Sequence, residues 1–261
     1  MKRFLFVLVV LLILLSFFFW FFSFQKSQLE PVKVKQEIKS EEITTGMKKL
    51  IFHEEKLDFL IERISEPQKL RLFPNFEEKL SSLILFKNNN CRFLISGGFY
   101  GEDNQPLAWF FTQEKLFRKK TKNAFLNGFL ALDKNGVIFL DDVFPSESVI
   151  WGLQTGPFLI FKSQPLVLNL IHDEPDRRLV TALNEKNELF FLMVGRSDSL
   201  ASGPLLKDLP LIVKQIGLEL NEPFKAAVNL DGGTASAFLT SNKSIKEYTW
   251  IGSFFCLQAD K

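Results

Sequence analysis

The chain has 261 residues, 46% of them hydrophobic, with 32 basic against 30 acidic side chains. That suits one ordinary domain with an appendage, or at most two small ones. A net charge of only +2 makes no case for nucleic acid, and 2 histidines with 2 cysteines make no convincing zinc site.

The N-terminus, MKRFLFVLVVLLILLSFFFWFFSF, places Lys2 and Arg3 before an apolar run from Phe4 to Phe22, broken only by Ser16. At helical rise that run spans about 28 Å, close to the hydrocarbon thickness of a bilayer. The basic flank belongs in the cytoplasm, so the rest is expected outside, behind a single-pass anchor over residues 1–24. A cleaved signal peptide is the rival reading, but no small-residue cleavage site follows the run. Residues 25–48 are polar and charge-mixed and read as a linker, which leaves 49–261 as the domain.

KKLIFHEEKLDFLIERIS carries apolar residues at both strand and helix spacings, and the pattern does not decide between them. NFEEKLSSLILFKNNN predicts a short amphipathic helix with Phe76, Leu80, Leu83 and Ile84 on one side. CRFLISGGFYG is a strand running into a glycine turn, and AFLNGFLALDKNGVIFLDD reads as two strands joined at DKNG. RLVTALNEKNELFFLMVG is the clearest hairpin, bending at NEKNE. LLKDLPLIVKQIGLEL is the best helix, with Pro210 placing its start near Leu209. Late strands come from FKAAVNLDGGTASAFL and IGSFFCLQ. Strands outnumber helices and are spaced as hairpins, which predicts an α+β domain of mainly antiparallel, mixed sheet with few packed helices. Cys91 and Cys256 both lie in apolar strand-like stretches and can be either a disulfide or buried free thiols.

Four polar, glycine-rich turns follow apolar runs: ISGGFYGEDNQP at 95–106, GLQTGPF at 152–158, VGRSDSLASGP at 194–204 and NLDGGTAS at 229–236. If the sheet gathers these strand ends on one side, they line one cleft. Asp231 is the foremost candidate, because Gly232 and Gly233 remove bulk beside it; an Asx-turn is its structural alternative. Arg196, directly after Gly195, and the Arg177–Arg178 pair can recognise carboxylate or phosphate through the planar guanidinium. No phosphate-loop pattern and no nucleophile elbow is present.

In order and spacing these turns resemble the phosphodiester glycosidase family. The matching stretches are SGGFY at 96–100, QTGPFLI at 154–160, VTALN at 180–184, VGR at 194–196 and NLDGGTAS at 229–236, with the helix near 205–220. The resemblance covers roughly residues 50 to 257. Ser96 stands where the family has asparagine, Val180 where it has arginine, Asn184 where it has glycine, and Val194 where it has aspartate. Thr234 and Ala235 replace a glycine and a serine.

The resemblance implies hydrolysis of a sugar-1-phosphodiester in envelope or exopolysaccharide glycans. It implies Asp231 as one catalytic carboxylate, with Asp198 the first choice for the second and Glu102 or Asp103 behind it. Arg196 would stabilise the phosphate side. Ser96, Gly97, Gly98, Gln154, Arg178, Asn229, Gly232, Gly233 and Ser236 are the expected substrate-binding positions. No cofactor is indicated; the acidic loops leave room for a divalent cation without a ligand pattern that identifies one. The expected partners are a glycan or sugar-phosphate substrate and the membrane, with no nucleic acid. The alternatives are a catalytically degenerate polysaccharide-binding relative and a surface structural protein. Asp231, Arg196, Gln154 and Ser96 should converge on one open pocket if a site exists.

Overall fold

The computed structural model describes residues 47–145 and 148–259. In chain order the elements are β1 (Lys48–Phe52), β2 (Glu55–Ile64), β3 (Leu70–Pro74), helix α1 (Ser82–Asn88), β4 (Cys91–Ser96), β5 (Phe110–Thr112) and β6 (Lys115–Arg118). Then come β7 (Gly128–Asp133), β8 (Ile138–Asp141), β9 (Val149–Thr155), β10 (Phe158–Phe161), β11 (Gln164–Pro165), β12 (Arg178–Asn184) and β13 (Leu189–Arg196). Helix α2 (Leu209–Glu219), β14 (Phe224–Asn229), β15 (Phe238–Thr240), β16 (Ser244–Ile245) and β17 (Ser253–Gln258) complete the chain.

The strands form three sheets rather than one. The large sheet has the order β1-β2-β13-β12-β14-β10-β11. The two smaller ones run β16-β15-β4-β17-β3 and β6-β5-β9-β7-β8. Every strand pairing among the described residues is antiparallel, so the expectation of a mixed sheet is corrected.

Local chemistry sets the turns. At DKNG, Asp133 Oδ1 accepts the N–H groups of Asn135 (2.9 Å) and Val137 (2.7 Å), and Gly136 takes a φ of +83°. At NEKNE, Asn184 Oδ1 accepts from the backbone of Lys186 and Glu188, each at 2.9 Å. The ambiguous stretch after residue 48 is the β1–β2 hairpin, turning at His53 and Glu54 with φ of 44° and 70°. The helix expected across NFEEKLSSLILFKNNN is confined to α1. Lys79 adopts a φ of +50°, and Asn75 Oδ1 accepts the Leu80 N–H at 3.0 Å, which fixes a turn where the helix would have begun. Phe76 therefore joins the central core, while Ile84 is 45% exposed.

The large sheet is covered on both faces. Leu179, Leu183, Phe191 and Met193 point into a core shared with the two smaller sheets. The alternating residues Val180, Ala182, Phe190 and Leu192 meet Leu209, Ile212, Val213 and Ile216 of α2. Two buried faces explain why β12 and β13 read as near-continuous apolar runs instead of alternating ones. Pro210 sits in the first turn of α2, where its missing N–H costs nothing.

The membrane anchor is corrected. Among the described residues no helix is long and apolar enough to cross a membrane. The run from Phe4 to Phe22 on which the anchor, the membrane partner, the single-pass topology and the outward placement rested lies outside the described residues, as does the linker up to residue 46.

Cys91 of β4 and Cys256 of β17 form a disulfide across adjacent strands, with Cα atoms 5.4 Å apart. The bridge closes a loop of 165 residues, and α1 packs beneath it through Leu85. Replacing both cysteines by serine is expected to lower stability by about 2–5 kcal/mol, read as the denaturant midpoint. An unchanged midpoint would show that β4 and β17 hold without it.

Candidate active site

The motif at 229–236 is the passage from the large sheet to a small one. β14 ends at Asn229, and β15 begins at Phe238 in the sheet that also holds β4. The Asp231 N–H donates to the Gly97 carbonyl at 3.0 Å, which joins this passage to the end of β4. The Leu230 N–H donates to Leu179 O at 2.9 Å and the Gly233 N–H to Arg177 O at 2.7 Å, which tie it to the start of β12. Three strand ends therefore meet at one place.

The glycines are explained by that meeting. A Cβ on Gly232 would lie 2.6 Å from the Arg177 carbonyl oxygen. One on Gly233 would lie 2.5 Å from Asp176 Oδ2, and Gly233 also needs a φ of +63°. A bare backbone at Gly232 lets the segment carrying Asp231 approach the Arg177 backbone so closely.

Asp231 and Asp176 both line an open cleft of about 510 Å³, together with Tyr100, Glu102, Thr249 and Trp250. The Tyr100 and Trp250 rings are 4.2 Å apart, and the Tyr100 hydroxyl donates to the Trp250 carbonyl at 2.8 Å. Burial pushes the Asp231 carboxyl well above its ordinary pKa, and the neighbouring Asp176 charge adds to the rise. Asp176 is also raised by burial, but Arg178, Arg177 and the Arg177 backbone N–H oppose the rise. The Tyr100 hydroxyl is raised by burial and then by Asp231. Of the two carboxyls, Asp231 is thus the better proton carrier and Asp176 the one with cationic support.

Arg177 lies behind the cleft and is almost wholly buried. Its guanidinium donates to the Ser236 carbonyl (2.6 Å), the Lys246 carbonyl (3.0 Å) and the Leu200 carbonyl (3.2 Å), and to Ser236 Oγ. The Tyr248 ring lies 5.5 Å from it. Burial lowers its pKa, and Tyr248, Asp176 and Glu247 work against that.

The residues expected from sequence divide into several groups. Asp231, Gly232 and Gly233 line the cleft. Gly97 supplies the carbonyl that holds Asp231, and the Gly98 N–H donates to Ser253 Oγ at 3.1 Å. Ser96 and Ser236 are fully buried just behind: Ser96 Oγ donates to Ala235 O (3.0 Å) and accepts from the Ala237 N–H (2.8 Å). Arg178 points aside, donating to Pro204 O at 3.1 Å and pairing with Asp173 at 3.4 Å.

Gln154, Arg196 and Asp198 do not line the cleft, so the expected convergence is corrected. Gln154 spends its amide internally, accepting from Thr121 N–H (3.0 Å) and donating to Thr121 O (2.8 Å) and Leu126 O (2.6 Å). Asn229 donates to Gly156 O at 3.1 Å, and its Oδ1 is buried without a hydrogen-bond partner among the described residues. Arg196 and Asp198 pair with each other at the surface, Nε to Oδ1 at 3.0 Å. That bond holds Asp198 below its ordinary pKa, the reverse of what an acid requires. Glu102 reaches the cleft, whereas Asp103 turns to Arg118 at 3.7 Å.

Sequence reasoning did not reach Asp176 or Trp250. Asp176 has a signal in the DEPDRR run that leads into β12, where it precedes the two arginines. Trp250 had none beyond being an aromatic in a polar stretch. Among the described residues no group of three or more His, Cys, Asp or Glu is placed to hold a metal ion.

The cleft thus holds two carboxyls of unequal proton affinity together with the Tyr100 and Trp250 rings. The chain belongs to the phosphodiester glycosidase family, whose profile matches residues 89–253. That membership supports hydrolase activity in general.

The fold is similar to the catalytic domain of zebrafish N-acetylglucosamine-1-phosphodiester alpha-N-acetylglucosaminidase, solved auto-inhibited by its pro-peptide. The TM-score is 0.63 at 12% identity, covering 82% of each chain. A hypothetical protein from Synechocystis matches with a TM-score of 0.54 at 11% identity, covering 80% of this chain and 61% of that one. A putative exported protein from Burkholderia pseudomallei K96243 gives 0.50 at 10% identity, covering 78% and 74%. No curated protein sequence matches.

Gly233→Ala tests the close approach. At that positive φ it should cost about 1–2 kcal/mol in the denaturant midpoint. It should also displace Asp176. A variant as stable as the parent would mean that the passage relaxes freely.

Proposed function

We propose that the chain hydrolyses a sugar-1-phosphodiester, with Asp231 as general acid and Asp176 as its ionised partner. The observation that supports this most is the Asp231 carboxyl, raised by burial and by Asp176, at the open cleft. A carboxyl whose pKa is raised keeps its proton to higher pH and can give it to the departing phosphate oxygen as the bond to the anomeric carbon breaks. Asp176 takes the proton of the water whose oxygen bonds to that carbon. The products are a free sugar and a phosphate monoester, and atoms and charge balance without a further reactant.

The departures from the family pattern fit this reading. Val194, where the family has aspartate, is fully buried against the helix-side core. It is a packing position here, so the cleft carboxylates come from elsewhere. Among the described residues no arginine or lysine lines the cleft, and the Lys79 ammonium lies 5.0 Å from the ring of Trp250, which does. Lys79 is the side chain we assign to the phosphate end.

Because burial raises the Asp231 pKa, folding favours its protonated form. The associated stability is fully present below the unfolded pKa and is lost as pH rises through the folded one. Activity that needs the proton falls over that same upper limb. Asp231→Asn should lower kcat/KM on a sugar-1-phosphodiester roughly a hundred- to ten-thousand-fold. It should also raise the thermal midpoint at neutral pH, because burying the aspartate requires it to take up a proton and burying asparagine does not. Turnover surviving in this variant would sink the assignment.

A further inference from the structure

Thr234 and Thr249 both line the cleft, and neither takes part in the proton transfers. Their hydroxyls meet: Thr249 Oγ1 donates to Thr234 Oγ1 at 3.1 Å. The backbone fixes the pair. The Thr234 carbonyl accepts the N–H groups of Tyr248 at 2.7 Å and Thr249 at 2.9 Å, which ties the passage after Gly233 to the segment carrying Trp250. Tyr100 stands next to them. Its hydroxyl is in hydrogen-bond contact with Thr249 and donates its hydrogen to the Trp250 carbonyl at 2.8 Å. Three hydroxyls thus form one strip in the cleft that holds Asp231, on side chains placed before any ligand arrives.

The hydrogens of this strip can be counted. Tyr100 gives its own to Trp250, and Thr249 gives its own to Thr234. One is left, on Thr234, which donates to no group among the described residues. Lone pairs remain on all three oxygens. The strip can therefore give one hydrogen bond and accept several. A sugar hydroxyl, which both gives and accepts, matches that capacity. Phosphate oxygens only accept; here they would face lone pairs, with the carboxyls of Glu102 and Asp176 in the same lining. The strip thus suits the sugar and not the phosphate. Thr234 also stands where the family pattern has glycine, so the free hydroxyl at the end of the strip is a feature of this chain.

We propose that Thr234 is a specificity residue, whose hydroxyl, aimed by Thr249, exchanges hydrogen bonds with a free ring hydroxyl of the sugar that reacts at Asp231 and Asp176. Thr249 is its positioning residue. This rests on the function proposed above and narrows the substrate to sugars that carry a free hydroxyl at that contact. A sugar without it displaces water from Thr234 and returns nothing, and that loss is what selects.

The test uses the full chain with glucose and N-acetylglucosamine 1-(methyl phosphate), the 3-, 4- and 6-deoxy analogues of each, and 2-deoxyglucose 1-(methyl phosphate). Binding is measured by calorimetry and hydrolysis separately. One deoxy analogue should bind roughly three- to ten-fold more weakly than its parent sugar. Thr234→Val should weaken the parent sugar by a similar factor, through a rise in KM rather than a fall in kcat, and should erase the difference between parent and analogue. Thr234→Ser keeps the hydroxyl and should retain that difference, while Thr249→Val should blunt it. A threonine that only supports the loop would lower the denaturant midpoint on substitution and leave the ratio of parent to analogue intact. That result overturns the subsite even if a probe is hydrolysed, as do deoxy analogues that all bind like their parents, or no binding of any probe. Discriminating binding without hydrolysis of any probe upholds the subsite and instead counts against the catalytic reading.

Discussion

The buried guanidinium of Arg177 is the contact on which the cleft depends. A charge this far from water needs hydrogen-bond partners, and Arg177 finds them for all three of its nitrogens on three separate segments. Those carbonyls belong to the loop after β13, the passage between sheets and the strand-flanking segment that carries Tyr248 and Trp250. The same residue offers its own carbonyl to the Gly233 N–H. One side chain and its backbone thereby set the distance between the walls that carry Asp176, Asp231 and Trp250. The pair of glycines is the complementary constraint, since a Cβ on Gly232 would meet the Arg177 carbonyl and Gly233 holds a positive φ.

This arrangement also explains the division of labour between the two carboxyls. Asp231 is tied by its backbone to β4, in a place where protein surrounds its carboxyl, and the nearest charge is negative. Asp176 is less enclosed and lies next to the two arginines. Identical side chains are thus pushed to different proton affinities by position alone. Arg177 acts through the others: it positions both walls, and each of its guanidinium nitrogens donates to a carbonyl or hydroxyl oxygen.

Much of the fold was legible in the sequence. The β7–β8 and β12–β13 hairpins were announced by DKNG and NEKNE, because Asx chemistry and a positive-φ glycine act locally. Helix α2 was set by its apolar spacing and by Pro210. What escaped depended on distant contacts. The division into three sheets follows from which faces meet, and periodicity does not report that. The helix expected from Asn75 onward was shortened by a hydrogen-bonded turn whose partners include the carbonyl of Ile251. The site followed the same rule. NLDGG was readable because its glycines answer a backbone need, whereas Arg196 and Asp198 satisfy each other, and Asp176 enters only once β12 and β14 are paired. Gln154 shows the converse: a motif position can be kept for the loop it supports.

The central claim is that the fold holds Asp231 protonated beside an ionised Asp176, and the direct test is its titration. Carboxyl carbon shifts followed by NMR against pH should show Asp231 titrating well above the ordinary aspartate range. The midpoint should move down when Asp176 is replaced by asparagine. An Asp231 that titrates in the ordinary range, or one indifferent to the loss of Asp176, would contradict the account.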